Sequence, residues 1–374
     1  MKTFKRREGS IVLITLIMLS VVLVLVDRFV RSVNVHGCYT KLVLAKEQAN
    51  MLALGGISCA CAQITAAIRG DYDKKENKDA SKKEEKITGP LSDKQLQSLY
   101  KKLLVHLNRW QEFKLDAQRD GVEGVIRFCI TSEEGKIPIN SAYDFEKNEF
   151  KKPYAELIKK TTFTTEKKEK DAVIKEMALF FKERGKKLDD ASQLLPSRHL
   201  ELFYKPVEKQ EKTHDARVQP SGLYDFFTVW GDEKGVNPLL LSDALRTGLG
   251  FSRLSGDKEK QKKQEESVEK VTKKINRSWA KDWKSNFKQI MPLYSSSGGD
   301  AGERGQKIFE KLEGALSTQI EPQVFSVLSC AKVSDTQQCV LAVIRRILSA
   351  ENKETKPAKS EKDSDVQMQT LSFL

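Results

Sequence analysis

The sequence predicts an α+β protein: a long N-terminal hydrophobic helix packed on an antiparallel sheet, with an inserted α-helical domain. Three observations carry this. An apolar N-terminal run continues, with no proline before Pro90, into a helix-compatible stripe that reaches Ala67. Strand-like runs occur at Gly124–Ile130, Phe226–Trp230 and Gln323–Cys330, the last followed by Gln338–Ile347. Between them the apolar residues recur at helical spacing.

The first helix opens on a charge boundary. Lys2, Lys5, Arg6 and Arg7 precede Gly9, Ser10 and the uncharged run Ile11–Val26. A basic head before an apolar segment orients it with its N-terminus in the cytoplasm, so the rest of the chain lies beyond the membrane. The seventeen residues from Ser10 to Val26 rise about 25 Å, enough for a thin bilayer. Phe29 and Val30 can extend the span. Val24-Leu25-Val26-Asp27-Arg28 offers no small-residue cleavage site, which argues against a removed secretory signal. A one-pass anchor and a leader clipped ahead of the helix both fit.

Past the membrane, Leu42, Leu44, Ala45, Ala49, Leu52, Ala53, Gly56, Cys59, Ala60, Ile64 and Ala67 mark one apolar stripe. Asn34, Gly37 and Gly55-Gly56 are soft points, since glycine costs about 1 kcal/mol relative to alanine inside a helix. Gly70–Lys86 has almost nothing to bury and reads as a charged linker. Ser92 with Gln95 forms a capping box for an amphipathic helix through Leu96, Leu99, Leu103, Leu107 and Trp110. Gly124–Ile130, a turn at Glu133–Gly135 and a return through Ile137–Asn140 read as a hairpin, with Asn140 suited to an N-cap. Asn237, Pro238 and Gly248 suit the N-cap, N1 and C′ positions of a helix carrying Leu240, Leu241, Ala244 and Leu245. Val271, Ile275, Trp279, Trp283, Phe287 and Ile290 mark a further core stripe.

Charge and motif patterns argue against several activities. Lys and Arg total 65 against 52 Asp and Glu, a net +13, but the lysines sit in mixed-sign runs such as Lys74–Lys78 rather than in a phosphate-binding stripe. No nucleic acid is expected as a partner. Ser297–Gly302 is glycine-rich yet lacks the Gly-Lys-Ser/Thr ending of a phosphate loop. His36, His106, His199 and His214 stand in no metal-ligand spacing, the cysteines form no C-x-x-C pair, and no Gly-x-Ser-x-Gly elbow occurs. The chain is read as having no enzymatic activity and no catalytic residue.

A short basic leader ending in Gly9, with the apolar helix beginning at once at Ser10, resembles the type IV pilin and pseudopilin superfamily. Glu134-Gly135-Lys136-Ile137-Pro138-Ile139-Asn140-Ser141 resembles that family's strand-to-insertion element, and Phe226–Asn237 resembles a second copy of it. Together they resemble the minor pseudopilin K family of type II secretion systems. The resemblance implies cleavage between Gly9 and Ser10 by a prepilin peptidase, methylation of the new N-terminus, and an α domain inserted in a pilin-like domain. Most such proteins carry a glutamate at the fifth mature position, where this chain has Ile14. A buried carboxylate needs a partner, which in the family is the amine of a neighbouring subunit. A subunit at the filament tip has no neighbour above it. The acidic, calcium-linked stretch of some members has no clean match, so no cofactor is assigned and calcium is unsupported by a clear motif.

Gln323–Cys330 and Gln338–Ile347 resemble the family's terminal hairpin. A two-residue turn at Ser334-Asp335 puts Cys330 opposite Cys339 at a non-hydrogen-bonded pair, with Cα atoms about 4.5 Å apart, so a disulfide is expected there. An oxidising compartment favours it. Cys38, Cys59, Cys61 and Cys129 stay unassigned.

The sequence divides into a basic leader (1–9), transmembrane and stalk helix (10–69), charged linker (70–95), pilin-like helix and hairpin (96–140), inserted helical domain (141–222), second strand and short helix (223–255), charged helical segment with the glycine-rich loop (256–320), C-terminal β-hairpin (321–350) and disordered tail (351–374). The implied partners are other minor pseudopilins, prepilin peptidase and the bacterial inner membrane, with a single pass and a periplasmic main domain. The implied role is to cap or initiate the pseudopilus at its tip and assist protein export. A single-pass, membrane-anchored envelope scaffold unrelated to filaments is the competing reading.

Overall fold

A computed structural model describes residues 5–69, 91–161, 166–194, 223–231, 235–251, 258–294, 308–310, 312–317, 319–348 and 366–373. The protein is α+β. Its longer helices are α1 (Lys5–Arg69), α2 (Asp93–His106), α3 (Lys152–Thr161), α4 (Lys167–Arg184), α5 (Asp243–Gly248), α6 (Lys258–Thr272) and α7 (Trp283–Ile290). The strands are β1 (Trp110–Leu115), β2 (Gly124–Ser132), β3 (Ile137–Pro138), β4 (Tyr143–Asp144), β5 (Glu149–Phe150), β6 (Phe227–Thr228), β7 (Val324–Val333), β8 (Thr336–Leu348) and β9 (Val366–Phe373). A five-stranded sheet has the order β1-β2-β7-β8-β9.

The chain forms two compact units. One comprises Met1–Gly56, Glu112–Arg127 and Cys330–Cys339; the other comprises Ile57–Gln111, Phe128–Ser329 and Val340–Leu374. In the first unit, a side chain at Gly124 would meet the Lys332 carbonyl at 2.8 Å and Leu52 Cδ1 at 3.6 Å, so strand and helix approach closely there. Arg127 and Glu112 pair across β2 and β1 at 2.8 Å.

The second unit holds most of the core. Leu96, Leu99, Tyr100 and Leu103 of α2 are buried, and its capping box is present: the Ser92 hydroxyl accepts the Gln95 N–H at 3.4 Å while Gln95 Oε1 accepts the Ser92 N–H at 2.7 Å. The helix stops before Trp110. Leu107 turns extended, Asn108 takes a left-handed φ of 58°, and its N–H reaches the Ile130 carbonyl at 2.8 Å, so Trp110 starts β1 instead.

The hairpin expected after Gly124–Ile130 is corrected. Ile137-Pro138 pairs in parallel with Phe227-Thr228, because β1 and β7 already flank β2. The two resembling elements are thereby hydrogen-bonded to each other as β3 and β6. Neither asparagine caps the helix assigned to it. Asn140 lies within a single turn, Ile139–Ala142, that follows Pro138. Asn237 is fully buried and accepts the Leu239 N–H at 2.9 Å, closing a turn. The cap of α5 is Ser242, whose hydroxyl accepts the Leu245 N–H at 3.2 Å, and the left-handed residue after the helix is Gly250 rather than Gly248. Gly248 serves close packing, since a Cβ there would sit 2.9 Å from Thr161 Cα.

The core stripe from Val271 to Ile290 is buried throughout, though it is divided among α6, a 3₁₀ turn at Arg277–Lys281 and α7. The tail read as disordered after residue 350 supplies β9, which runs antiparallel to β8 from Leu348↔Val366 to Ala342↔Phe373. A strand edge left open by β8 has unpaired N–H and C=O groups, and β9 satisfies part of them. Residues 70–90, the stretch from Leu195 to Phe203, Asp232–Lys234, Ser297–Gly302, His199 and His214 lie outside the described residues.

Candidate assembly surface

The surface is built on α1, one continuous helix that runs through Asn34, Gly37, Gly55 and Gly56 without interruption. It has two regimes. From Val12 to Leu44 its large apolar side chains are exposed, Ile14 at 52% among them. From Ala49 onward, Ala49, Ala53, Ile57, Ala60, Ile64 and Ala67 are buried, at the spacing of a single helical face. The stripe read from sequence therefore holds from Ala49, while Leu42, Leu44 and Cys59 face outward.

The exposed half is chemically suited to lipid. It is long and apolar enough to cross a membrane. Its two hydroxyls in Val12–Val26 are satisfied within the helix: Thr15 Oγ1 donates to the Val12 carbonyl at 2.8 Å and Ser20 Oγ to Ile17 at 2.7 Å. Charge returns only after the apolar run, where Arg31 pairs with Asp27 at 3.0 Å. Gly9 and Ser10 lie within the helical bounds of α1. Their side-chain surroundings lie outside the described residues. Lower on the helix, Gln63 and Gln111 exchange two amide hydrogen bonds at 2.7 and 2.9 Å.

At the turn of the β7–β8 hairpin, Cys330 and Cys339 form a disulfide with Cα atoms 4.0 Å apart. Ser334 in the turn has φ 51°. Cys38 and Cys59 are exposed free thiols, Cys61 and Cys129 partly covered ones. Burial pushes the Cys129 thiol up to about 12.

Sequence reasoning missed a buried polar clasp in the second unit. Glu134 Oε1 accepts the N–H groups of Gln323 (2.7 Å) and Val324 (2.8 Å), and Oε2 accepts the Ser132 hydroxyl at 2.6 Å. Its carbonyl accepts the Asn237 N–H at 2.6 Å. Burial raises the Glu134 carboxyl to about 6 against the opposing pull of these hydrogen bonds. Beside it, Lys136 pairs with Glu133 in the interior and donates to Ser326 Oγ at 2.9 Å. Asn237 donates to the Tyr100 hydroxyl and the Ile320 carbonyl, both at 3.2 Å. Gly135 is required in this crowd, since a Cβ would lie 1.8 Å from the Leu240 carbonyl oxygen. Apart from Ser132–Glu134 and Glu133–Lys136, the side-chain partners in this cluster are 83 to 190 residues apart in the chain, and no local pattern announces them.

No group of three or more His, Cys, Asp or Glu side chains converges as a metal site among the described residues. Asp189 pairs with Arg184 at 3.4 Å.

The sequence matches no protein-family model and no curated protein. Among solved structures, it is similar to a chain of the GspK–GspI–GspJ complex from the type 2 secretion system of enterotoxigenic Escherichia coli. The match covers 91% of this chain and 98% of that one, at 12% identity and a TM-score of 0.40. At those values the functional reading rests on the residues of the chain itself.

Proposed function

We propose that this chain is a minor pseudopilin of a type II secretion system that caps or initiates the pseudopilus at its tip and assists export. The observation that carries the reading is the division of α1. Its upper half offers an uninterrupted apolar surface, and its lower half is buried along one face. A helix so divided can hold a folded domain at one end and pack among lipid or like helices at the other.

Two further features support it. Ile14 replaces the carboxylate that would need a partner amine inside an apolar bundle, which suits a subunit with nothing assembled above it. The Cys330–Cys339 disulfide suits an oxidising compartment, here the periplasm, with the N-terminus of α1 toward the cytoplasm. The partners in this reading are other minor pseudopilins, the inner membrane and a prepilin peptidase, and the work is assembly rather than catalysis.

The test is the N-terminus of the protein isolated from membranes. Cleavage after Gly9 should leave Ser10 as the first residue, carrying an N-methyl group. An intact Met1 in a strain with active prepilin peptidase would overturn the pseudopilin reading and leave the envelope scaffold.

A further inference from the structure

We propose that the edge of β8 takes, in place of β9, an extended segment of a partner protein that carries an aspartate or glutamate opposite Arg346. The surface lies wholly within the second unit, at one end of the sheet order β1-β2-β7-β8-β9. Arg346 is 3% exposed, and neither its Nε nor its Nη1 has a hydrogen-bond partner among the described residues. Ala342 and Ile344 lie on the same face of β8 by alternation, and both are fully buried. A guanidinium without an acceptor in such surroundings is costly, and a carboxylate brought to it removes much of that cost.

The strand register fixes where that carboxylate has to stand. The Arg346 N–H donates to the Gln323 carbonyl, just ahead of β7, at 2.8 Å. On its other side Arg346 therefore meets β9 in a non-hydrogen-bonded pair, with Met368 as its partner. In such pairs the two side chains share a face of the sheet and approach most closely. Methionine at this position offers at most a weak sulfur acceptor, whereas a carboxylate offers two strong oxygens that match the arginine fork. Glu321, whose charge acts on Arg346, is engaged elsewhere: its Oε1 accepts the Leu91 N–H at 3.0 Å and pairs with Arg277.

β9 is attached in a way that permits exchange. It is an edge strand, and its pairing with β8 shifts register between Val343 and Ile344. Seventeen residues, nine of them charged, separate Leu348 from Val366, against the roughly two to five that close an ordinary hairpin. A connection of that length holds β9 at the β8 edge at a lower effective concentration than a tight turn would. A segment that pairs with the β8 backbone and also satisfies Arg346 can therefore displace it.

The experiment uses the full-length chain in a nonionic detergent near pH 7 and two fluorescent peptides with the same solubilising tail: the β9 sequence Val366–Phe373, and that sequence with Met368→Glu. Fluorescence anisotropy should show the substituted peptide binding about tenfold or more tightly than the unsubstituted one. Its binding should release β9, read by hydrogen exchange with mass spectrometry as lost protection of the chain's own Val366–Phe373 amides while β8 stays protected. Arg346→Met in the full chain should remove the preference between the two peptides. The peptide comparison and the exchange measurement are made in the unmutated chain, so the test does not depend on how well Arg346→Met folds. The proposal falls if neither peptide binds, if the two bind alike, or if the substituted peptide binds while the β9 amides stay protected.

Discussion

Asn140 holds Leu188 from both sides of its peptide backbone. Its side-chain oxygen accepts the Leu188 N–H at 2.8 Å, and its side-chain nitrogen donates to the Leu188 carbonyl at 2.9 Å. The chain leaving α4 through Gly185, at φ 66°, is thereby tied to the one-turn helix after β3. Only an amide offers a donor and an acceptor in this arrangement. Asn140→Asp keeps the acceptor but sets a carboxylate against the Leu188 carbonyl, and should cost about 1–3 kcal/mol. Urea unfolding of the two proteins side by side measures this; equal midpoints would remove the clasp from the list of stabilising contacts.

Glu134 should make stability depend on pH in an unusual direction. Its carboxyl is raised from 4.5 to about 6 in the folded chain, so between those values the folded state binds more protons than the unfolded state. The contribution from its protonation is complete below pH 4.5 and is lost as pH rises through 6, a fall of at most about 2 kcal/mol. Glu134→Gln preserves an oxygen for Gln323 and Val324 and can donate to Ser132, so it should flatten this part of the profile. Chemical unfolding at several pH values from 4.5 to 7 checks the slope in both proteins.

The interior pair Glu133–Lys136 should show strong coupling. Glu133 Oε2 has no hydrogen-bond partner among the described residues, so the pair relies on Lys136 and on the Ser326 hydroxyl held by it. Lys136→Met leaves an uncompensated buried carboxylate and should cost about 3–5 kcal/mol, whereas Glu133→Gln with Lys136→Met should recover a large part of the loss. A double-mutant cycle with additive losses would contradict this.

Opening the Cys330–Cys339 disulfide should destabilise the chain by roughly 2–3 kcal/mol, the chain-entropy expectation for a loop of about ten residues. The paired substitution to serine should lower the thermal midpoint and make it insensitive to reductant. Without reductant, native alkylation followed by mass spectrometry should label Cys38 and Cys59 first, leave Cys330 and Cys339 unlabelled, and reach Cys129 slowly, as its raised thiol pKa requires.

Local chemistry was readable from the sequence, and non-local chemistry was not. The Ser92/Gln95 capping box, the α1 stripe from Ala49 and the Cys330–Cys339 pairing depend on neighbours a few residues away or across one tight turn. Asn140 and Asn237 were misread because their side chains serve backbone atoms 48 and 83 residues distant, so a favourable cap position told nothing of their use. Ile137-Pro138 was misread for a similar reason: the nearest strand in sequence was already paired on both edges, and β6 lies 90 positions along. The β9 segment escaped notice because Val366–Phe373, with alternating polar residues, follows a long charged stretch that by composition could not form a core.

Thr15 and Ser20 turn their hydroxyls back onto their own helix, and this leaves the span without any outward polar latch between Val12 and Val26. A neighbouring helix would encounter mostly aliphatic surface with the thioether of Met18, which can be slid along or rotated past at little cost. If this run lies in a bilayer, whatever fixes the angular position of the chain beside another helix must act outside the apolar run, where shape and charge can distinguish one orientation from the next.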